Sequence, residues 1–333
     1  MKKRAFTLVE LLVVVAIIAL LVGLLLPALA KAQQTAKTVK DSNQIKQIHT
    51  AMVSRANETK GGKLPTPGLI NRRAAGALQL PGEGEEDFAK NRSQFLYSAC
   101  VAQNLFNTDI LVGPTEVNQA VQVYANYNYA AYNPAVDTYW DGDVTGSTVP
   151  TPQTTGLRAR IDAVAGSANA ADVCHTSYAH LILVGLRKSQ HWRNNLDSAR
   201  PHMSTRGCRN GTASGDEYTF SPTLRLHGPQ KSWEGNVCFG DTHMEFVETF
   251  RPEGCIYECG TGAFSNLTKD NMFACAGTNG GATAPAEFTG QGCVDSFNGA
   301  LQPWSGGDTM LGIHYNATTQ FITIPSWDRL ENQ

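Results

Sequence analysis

The sequence lacks the short motifs on which many hydrolases, metalloproteases and nucleotide-binding enzymes depend. It contains no Gly-x-Ser-x-Gly elbow, no His-Glu-x-x-His pair and no Gly-rich phosphate loop. Charge is also scarce: Asp, Glu, Lys and Arg make up 17% of the 333 residues, and the net charge is −2. Because no basic patch is present, nucleic acid is not expected as a partner. These absences favour a protein that is not an enzyme and needs no cofactor.

Charged and strongly polar side chains are missing altogether from residues 11–30, which follow the basic residues Lys2, Lys3 and Arg4 and a single acid, Glu10. Twenty helical residues span roughly 30 Å, the thickness of a bilayer hydrocarbon core. The basic residues favour a cytoplasmic N-terminus, so the chain beyond residue 30 is expected outside the membrane. An acid beside an apolar segment is costly without a partner, which makes Glu10 a candidate functional residue.

The string Ala-Phe-Thr-Leu-Val-Glu-Leu-Leu at residues 5–12 resembles the processing signal of type IV pilins and type II secretion pseudopilins. The resemblance implies that prepilin peptidase cuts between Ala5 and Phe6 and methylates the new amine of Phe6. It also implies that Glu10 is the assembly glutamate and that Pro27 kinks the helix. The carboxylate of Glu10 would neutralise the amine of a neighbouring subunit, since an unpaired buried charge is penalised. The sequence departs from the family at Ala5, where Gly is usual.

Two other interpretations of the N-terminus stay open. Residues 28–30, Ala-Leu-Ala, fit the small-x-small cleavage pattern of a secretory signal peptide. Against this, the apolar segment is longer than such peptides have, and an acid within it is unusual. The segment would otherwise be a plain membrane anchor.

Past the membrane, the same helix is expected to continue to about residue 57. Ile45, Ile48 and Met52 follow three- and four-residue spacings, so they form one apolar face that would pack on a sheet. Two glycines at 61 and 62, followed by two prolines, are typical of the end of a helix.

The composition after the helix is rich in Gly, Asn, Thr and Tyr, which favours a loop-rich β head. The predicted fold class is therefore α+β, with a long N-terminal helix packed on an antiparallel sheet of pilin type. Residues 61–95 are expected to form an exposed connector, followed by a short helix. The predicted units are a leader at 1–5, a membrane and filament-core helix at 6–30, an amphipathic continuation at 31–60, and a head at 61–333 whose last part, 251–333, is rich in Cys and Gly.

Residues 236–247 contain two short apolar runs around a Gly-Asp-Thr turn, which predicts a β-hairpin. The region also resembles a tag of bacterial pilin-like proteins, consisting of His-Gly, an Asn-Val-x-Phe strand and an Asp-Gly-His turn. Here Thr242 replaces the turn glycine. His227, Asp241 and His243 would form a metal or acid–base site if they converged. The favoured interpretation is that Asp241 caps the turn and the histidines form ordinary hydrogen bonds.

Asp141-Gly142-Asp143 is similar to the start of a calcium loop, which needs clustered oxygen ligands on a tight turn. The downstream Glu of an EF-hand is missing, because Pro152 stands at that spacing. Asp141 and Asp143 are therefore weak candidates for Ca²⁺ ligands, and a solvated turn is favoured.

All eight cysteines follow the apolar segment, on the side of the membrane where thiols oxidise. The even number favours disulfides, and a zinc site or buried thiols are the alternatives. Cys255 and Cys259 are the only close pair, without a second pair of that kind to complete a zinc site. The candidate residues are Cys100, Cys174, Cys208, Cys238, Cys255, Cys259, Cys275 and Cys293.

The resemblance implies a structural subunit, inserted once in the bacterial inner membrane before it enters a filament. Its expected partners are other pilin or pseudopilin subunits, prepilin peptidase, an inner-membrane assembly platform and membrane lipid. The large head favours a type II secretion pseudopilin over a surface pilin. The alternative is a membrane-tethered binding module that never polymerises and binds a carbohydrate or surface ligand through the aromatic residues 124–140.

Overall fold

A computed structural model describes residues 7–72, 84–143, 156–159, 173–185, 187–208, 216–227, 232–259, 266–273, 309, 311–317 and 322–326. The fold class is α+β, as the sequence predicts: one long N-terminal helix and an antiparallel five-stranded sheet. The α-helices in this part of the chain are α1 Leu8–Asn57, α2 Pro67–Ile70, α3 Ser93–Ala102 and α4 Asp216–Thr219. The strands are β1 Tyr178–Leu181, β2 Pro201–Thr205, β3 Gly235–Phe239, β4 Met244–Val247, β5 Ile256–Cys259, β6 Asn266–Lys269, β7 Leu311–Gly312, β8 His314–Ala317 and β9 Ile322–Ser326.

The second half of α1 is the element on which the head is built. Its buried residues follow helical spacing and form a single stripe against β2 and β3. The predicted members of this stripe, Ile45, Ile48 and Met52, are all fully buried. Full burial of such a side chain contributes about 1.5–3 kcal/mol. The helix ends at Asn57, and Gly61 and Gly62 then turn the chain with φ of 88° and 61°.

The main sheet has the strand order β4-β3-β2-β1-β7, and all four neighbouring pairs are antiparallel. The three central strands are buried along their whole length, whereas β4 has exposed side chains and forms one edge. The short strand β7, from the last part of the chain, extends this sheet by pairing with β1. The hairpins β5-β6 and β8-β9 form two separate sheets.

The predicted hairpin is present as β3 and β4, with Asn236 opposite Phe246. In its turn, Thr242 has a φ of 71°, in the left-handed region that a β-branched residue rarely adopts. The Thr242 hydroxyl lies 3.0 Å from Nδ1 of His49 on α1, which ties the turn to the helix. The position where the tag has glycine therefore has a glycine-like backbone.

A buried acid joins α1 to the sheet. Asp41 accepts a hydrogen bond of 2.6 Å from the hydroxyl of Tyr178 on β1 and another from the hydroxyl of Thr115. Burial raises the pKa of Asp41 from 3.8 to about 6; the two hydroxyl donors partly oppose the shift, and nearby Glu116 adds to it. The helix is thus fixed by a polar contact as well as by its apolar stripe.

The expectation that residues 61–95 form an exposed connector is wrong for two parts of that segment. Residues 64–68 are buried, and so are Asp87, Lys90 and Asn91. The Lys90 ammonium lies 2.5 Å from the Asp143 carboxylate, with both side chains almost fully buried. This polar segment can be buried because an ion pair compensates its charge, which composition alone does not show.

We predict that replacement Asp41→Asn removes a pH-dependent part of the stability. Because the folded pKa of about 6 lies above the ordinary 3.8, the protonated form stabilises the fold at low pH. That contribution is present below about pH 4 and lost as the pH rises through 6, a change on the order of 3 kcal/mol. The free energy of unfolding, measured by denaturant between pH 4 and 7, should lose this slope relative to wild type.

The matched control for this prediction is the exposed acid Asp109. Asp109→Asn should leave the pH dependence of the unfolding free energy as it is in wild type. An unchanged slope in Asp41→Asn would contradict the assignment of the raised pKa to this side chain.

We also predict that Thr242→Gly is more stable than Thr242→Ala by about 1 kcal/mol. Both variants lose the hydrogen bond to His49, but only glycine adopts a positive φ without steric cost. The difference between the two unfolding free energies therefore isolates the backbone strain. Equal stability of the two variants would contradict the left-handed conformation at Thr242.

Candidate assembly helix and its junction with the head

The first turn of α1 is closed by Thr7 and Glu10. The backbone N–H of Glu10 donates to the Thr7 hydroxyl at 3.3 Å, and the backbone N–H of Thr7 donates to the Glu10 carboxylate at 2.8 Å. This reciprocal pair is a capping box, which satisfies donors that have no partner inside the helix. This role was not predicted from the sequence, although the spacing Thr-x-x-Glu is its signal.

The apolar half of α1 is uncovered along its length. Every residue from 8 to 33 is exposed, and Leu20, Leu24 and Leu25 expose 65%, 70% and 66% of their surface. Among the described helices, α1 alone is long and apolar enough to cross a membrane. Apolar surface costs about 25 cal/mol per Å² in water, so this half needs lipid or other protein around it.

Pro27 lies inside α1, and the helix continues on both sides of it. Proline has no N–H, so the carbonyl of Gly23 lacks its usual helical partner. A Cβ at Gly23 would find no atom within 4 Å, so the helix is open to the surroundings at this turn. A kink at Pro27 stays a prediction.

The first contacts between α1 and the head, counted from the N-terminus, are at Gln34 and Thr38. The Gln34 side chain donates to the carbonyl of Leu226 at 3.1 Å, and the Thr38 hydroxyl lies 3.2 Å from Nδ1 of His227. Asn236 on β3 donates to the Thr38 carbonyl at 3.1 Å. These contacts mark the level at which the uncovered helix becomes part of the head.

A buried histidine pair continues the junction further along α1. His49 Nε2 lies 3.0 Å from Nδ1 of His202 on β2. Burial lowers the pKa of His49 to about 4 and that of His202 well below its ordinary value. Both rings are therefore neutral at pH 7, and one donates to the other.

The three tag-region residues do not converge. The Asp241 carboxylate lies 2.5 Å from Nδ1 of His243 and accepts from the His243 backbone N–H at 3.1 Å, which caps the hairpin turn. His243 stacks on Phe239, while His227 is bound to Thr38 instead. Within the described ranges, no three His, Cys, Asp or Glu side chains are grouped closely enough to hold a metal ion.

The weak calcium candidates are engaged within the chain. Asp143 binds the Lys90 ammonium, and the Asp141 carboxylate accepts from the hydroxyl of Tyr124 at 2.8 Å and from the backbone N–H of Asn128 at 3.1 Å. These contacts do not support calcium binding, because the Lys90 ammonium and the hydroxyl and N–H donors of the chain already bind both carboxylates.

The disulfide prediction is not confirmed. Cys100 and Cys238 are buried thiols, and burial raises the pKa of both above the ordinary value. The Cys174, Cys208 and Cys255 thiols are buried too, and each lies within hydrogen-bonding distance of an oxygen atom. Cys275, Cys293 and the side chain of Cys259 lie outside the described part of the chain, as do the predicted processing residues Ala5 and Phe6.

The comparisons with known proteins concern the N-terminus. The family model described as "Prokaryotic N-terminal methylation motif" matches residues 1–26. No curated protein and no solved structure gives a significant match to the chain. The matched residues end before the head, so the likeness of residues 227–243 to the pilin-like tag stays a prediction. The chain thus carries, at its N-terminus, the methylation signal of type IV pilins and pseudopilins.

Proposed function

We propose that the protein is a pilin-like structural subunit that polymerises through α1. The carrying observation is the uncovered apolar half of α1, continuous with a half that is firmly packed in the head. Lipid covers this surface before assembly, and the same surface of other subunits covers it in the filament. The methylation signal at residues 1–26 supports the same route.

In this proposal, prepilin peptidase removes residues 1–5 on the cytoplasmic side of the inner membrane. The cut between Ala5 and Phe6 exposes the amine of Phe6, which is then methylated. Because Ala5 is small, the peptidase accepts it in place of the usual Gly, although it cleaves more slowly. The processed subunit then meets an inner-membrane assembly platform and other pilin or pseudopilin subunits.

Glu10 has two successive roles in this account. In the single chain its carboxylate caps α1 through Thr7. In the filament the carboxylate pairs with the amine of Phe6 in a neighbouring subunit and sets the axial register. The change is favourable because both charges lie in an apolar bundle, where each would be costly alone.

Among pilin-like filaments, we assign the subunit to a type II secretion pseudopilus. The ground is the size of the head, which extends over residues 61–333 and suits a specialised or minor subunit better than a densely repeated one. Cargo transport through such a pseudopilus would then be the biological role.

A second candidate function is a membrane-tethered binding module that does not polymerise. The supporting observation is a pair of exposed tyrosines, Tyr129 and Tyr132, at 54% and 59% exposure, each packed against another tyrosine ring. Exposed aromatic rings that are held in place by a neighbouring ring are suited to contact with a sugar face or a surface ligand. Shearing of cells discriminates the two: a filament subunit leaves with the sheared material, whereas a tethered module stays with the inner membrane.

We predict that Glu10→Leu and Glu10→Gln are both cleaved and inserted but enter filaments at least about tenfold less than wild type. Glutamine retains the capping geometry of the first turn and removes only the charge. Reduced incorporation of Glu10→Gln would therefore result from loss of the charge pair. The measurement is the amount of subunit in sheared filaments relative to the membrane fraction.

The matched control is Thr7→Val, which removes the capping hydroxyl and keeps the carboxylate. It should cost the helix start about 1 kcal/mol while incorporation stays within about twofold of wild type. Normal incorporation of Glu10→Gln together with loss in Thr7→Val would show that Glu10 acts only as a cap.

A further inference from the structure

A cleft of about 290 Å³ lies at the end of α1, where the chain turns towards α2. Its walls come from the last turn of α1, the segment that follows it, α2 and the end of α3. Because α1 has 50 residues, the cleft is roughly 75 Å along the helix from Leu8, far from the membrane-facing end. The volume is at the lower end of the range for small-molecule sites.

Four cationic side chains line this cleft, which we call the cationic cleft: Arg55, Lys60, Lys63 and Arg72. One carboxylate, that of the exposed residue Glu58, pairs with Arg55. The other three cations form no ion pair with any acid in the described part of the chain. In a chain whose net charge is −2, this concentration of positive charge favours an anionic ligand.

Both arginines are held in place by uncharged partners. Arg55 Nε donates to the side-chain oxygen of Gln103 at 3.0 Å. Arg72 donates from Nε to the carbonyl of Leu69 at 3.1 Å and from Nη1 to the carbonyl of Gly84 at 3.0 Å. Each guanidinium retains further N–H groups, so a carboxylate would meet donors that are already positioned.

The cleft also has an apolar floor and hydroxyl oxygens. Leu69 and Ile70 of α2 line it and are half-buried, so they retain accessible apolar surface. The Thr59 hydroxyl donates to the carbonyls of Ala56 and Lys63 at 2.8 and 3.0 Å, which uses its proton and leaves its oxygen free to accept. The apolar floor is thus suited to contact with C–H groups of a ligand, and the Thr59 oxygen is suited to accept from a ligand hydroxyl.

We propose that the cationic cleft binds a uronic acid, a sugar of one ring that carries a carboxylate, either free or as a unit of an acidic polysaccharide. The carboxylate lies against Arg72 and the lysines, the ring face lies on Leu69 and Ile70, and ring hydroxyls donate to Thr59. A bare anion would leave the floor and the acceptors unused, and a neutral sugar would leave the cations unused. The site lies where α1 ends in the head and does not depend on polymerisation.

The test is calorimetric titration of the full chain in detergent micelles with D-galacturonate, D-galactose and sodium phosphate. Galacturonate should bind saturably, at least about tenfold tighter than either control, and more weakly as salt increases. Tri-galacturonate identifies the source: tighter binding than the monomer assigns a polysaccharide, and equal binding assigns a free sugar acid. Equal binding of phosphate or galactose, or no saturable binding of galacturonate, would overturn the proposal.

The variant that tests the residues is Lys60→Gln with Lys63→Gln. Its control is Lys40→Gln with Lys46→Gln, at two exposed cations of α1 outside the cleft. The cleft variant should bind galacturonate at least about fivefold more weakly, and the control variant should bind as wild type does. Thermal unfolding followed by circular dichroism verifies that both remain folded. Equal affinity in both variants would overturn the assignment.

Discussion

The structure depends on the packing of one face of α1 against the centre of the sheet. Ile45, Ile48 and Met52 are fully buried there, and Asp41 and His49 add hydrogen bonds to β1, β2 and the hairpin turn. Because a helix is continuous, fixing its second half also fixes the direction of its first half. The apolar half therefore leaves the head as a continuation of the same helix, and something other than the head has to cover it.

Buried polar groups set the position of this packing more narrowly than apolar contact does. Apolar contact tolerates small shifts, but the hydroxyl of Tyr178 reaches the carboxylate of Asp41 at a single height along α1. The buried ion pair of Arg206 with Glu116, at 2.5 Å, belongs to the same polar layer, since Glu116 lies near enough to Asp41 to raise its pKa. Loss of one partner in such a layer leaves an unpaired buried group, which costs more than the contact itself contributes.

Local patterns in the sequence predict the elements that depend on neighbours in the chain. The 3.6-residue period predicts the buried stripe of α1, and the Gly-Asp-Thr turn predicts the β3-β4 hairpin. The capping box of Thr7 and Glu10 is equally local and could have been predicted from its spacing.

Features that join distant segments could not be predicted in this way. The pairing of Lys90 with Asp143 depends on how two loops fold over each other, and this makes a polar connector buried. The four cations of the cationic cleft lie within residues 55–72, but the sequence does not show that the turn after α1 brings them to one cleft with Gln103. A single sequence shows which residues carry charge, but not which of them meet.

The central claim is that α1 begins, in the mature protein, at a processed and methylated Phe6 and serves as a polymerisation stem. The most direct measurement is the N-terminal mass of the protein recovered from sheared filaments and from the membrane. The account predicts N-methylated Phe6 as the first residue in both fractions. Met1 as the first residue would make α1 a plain anchor, Lys31 would make it a removed signal peptide, and either result would contradict the account.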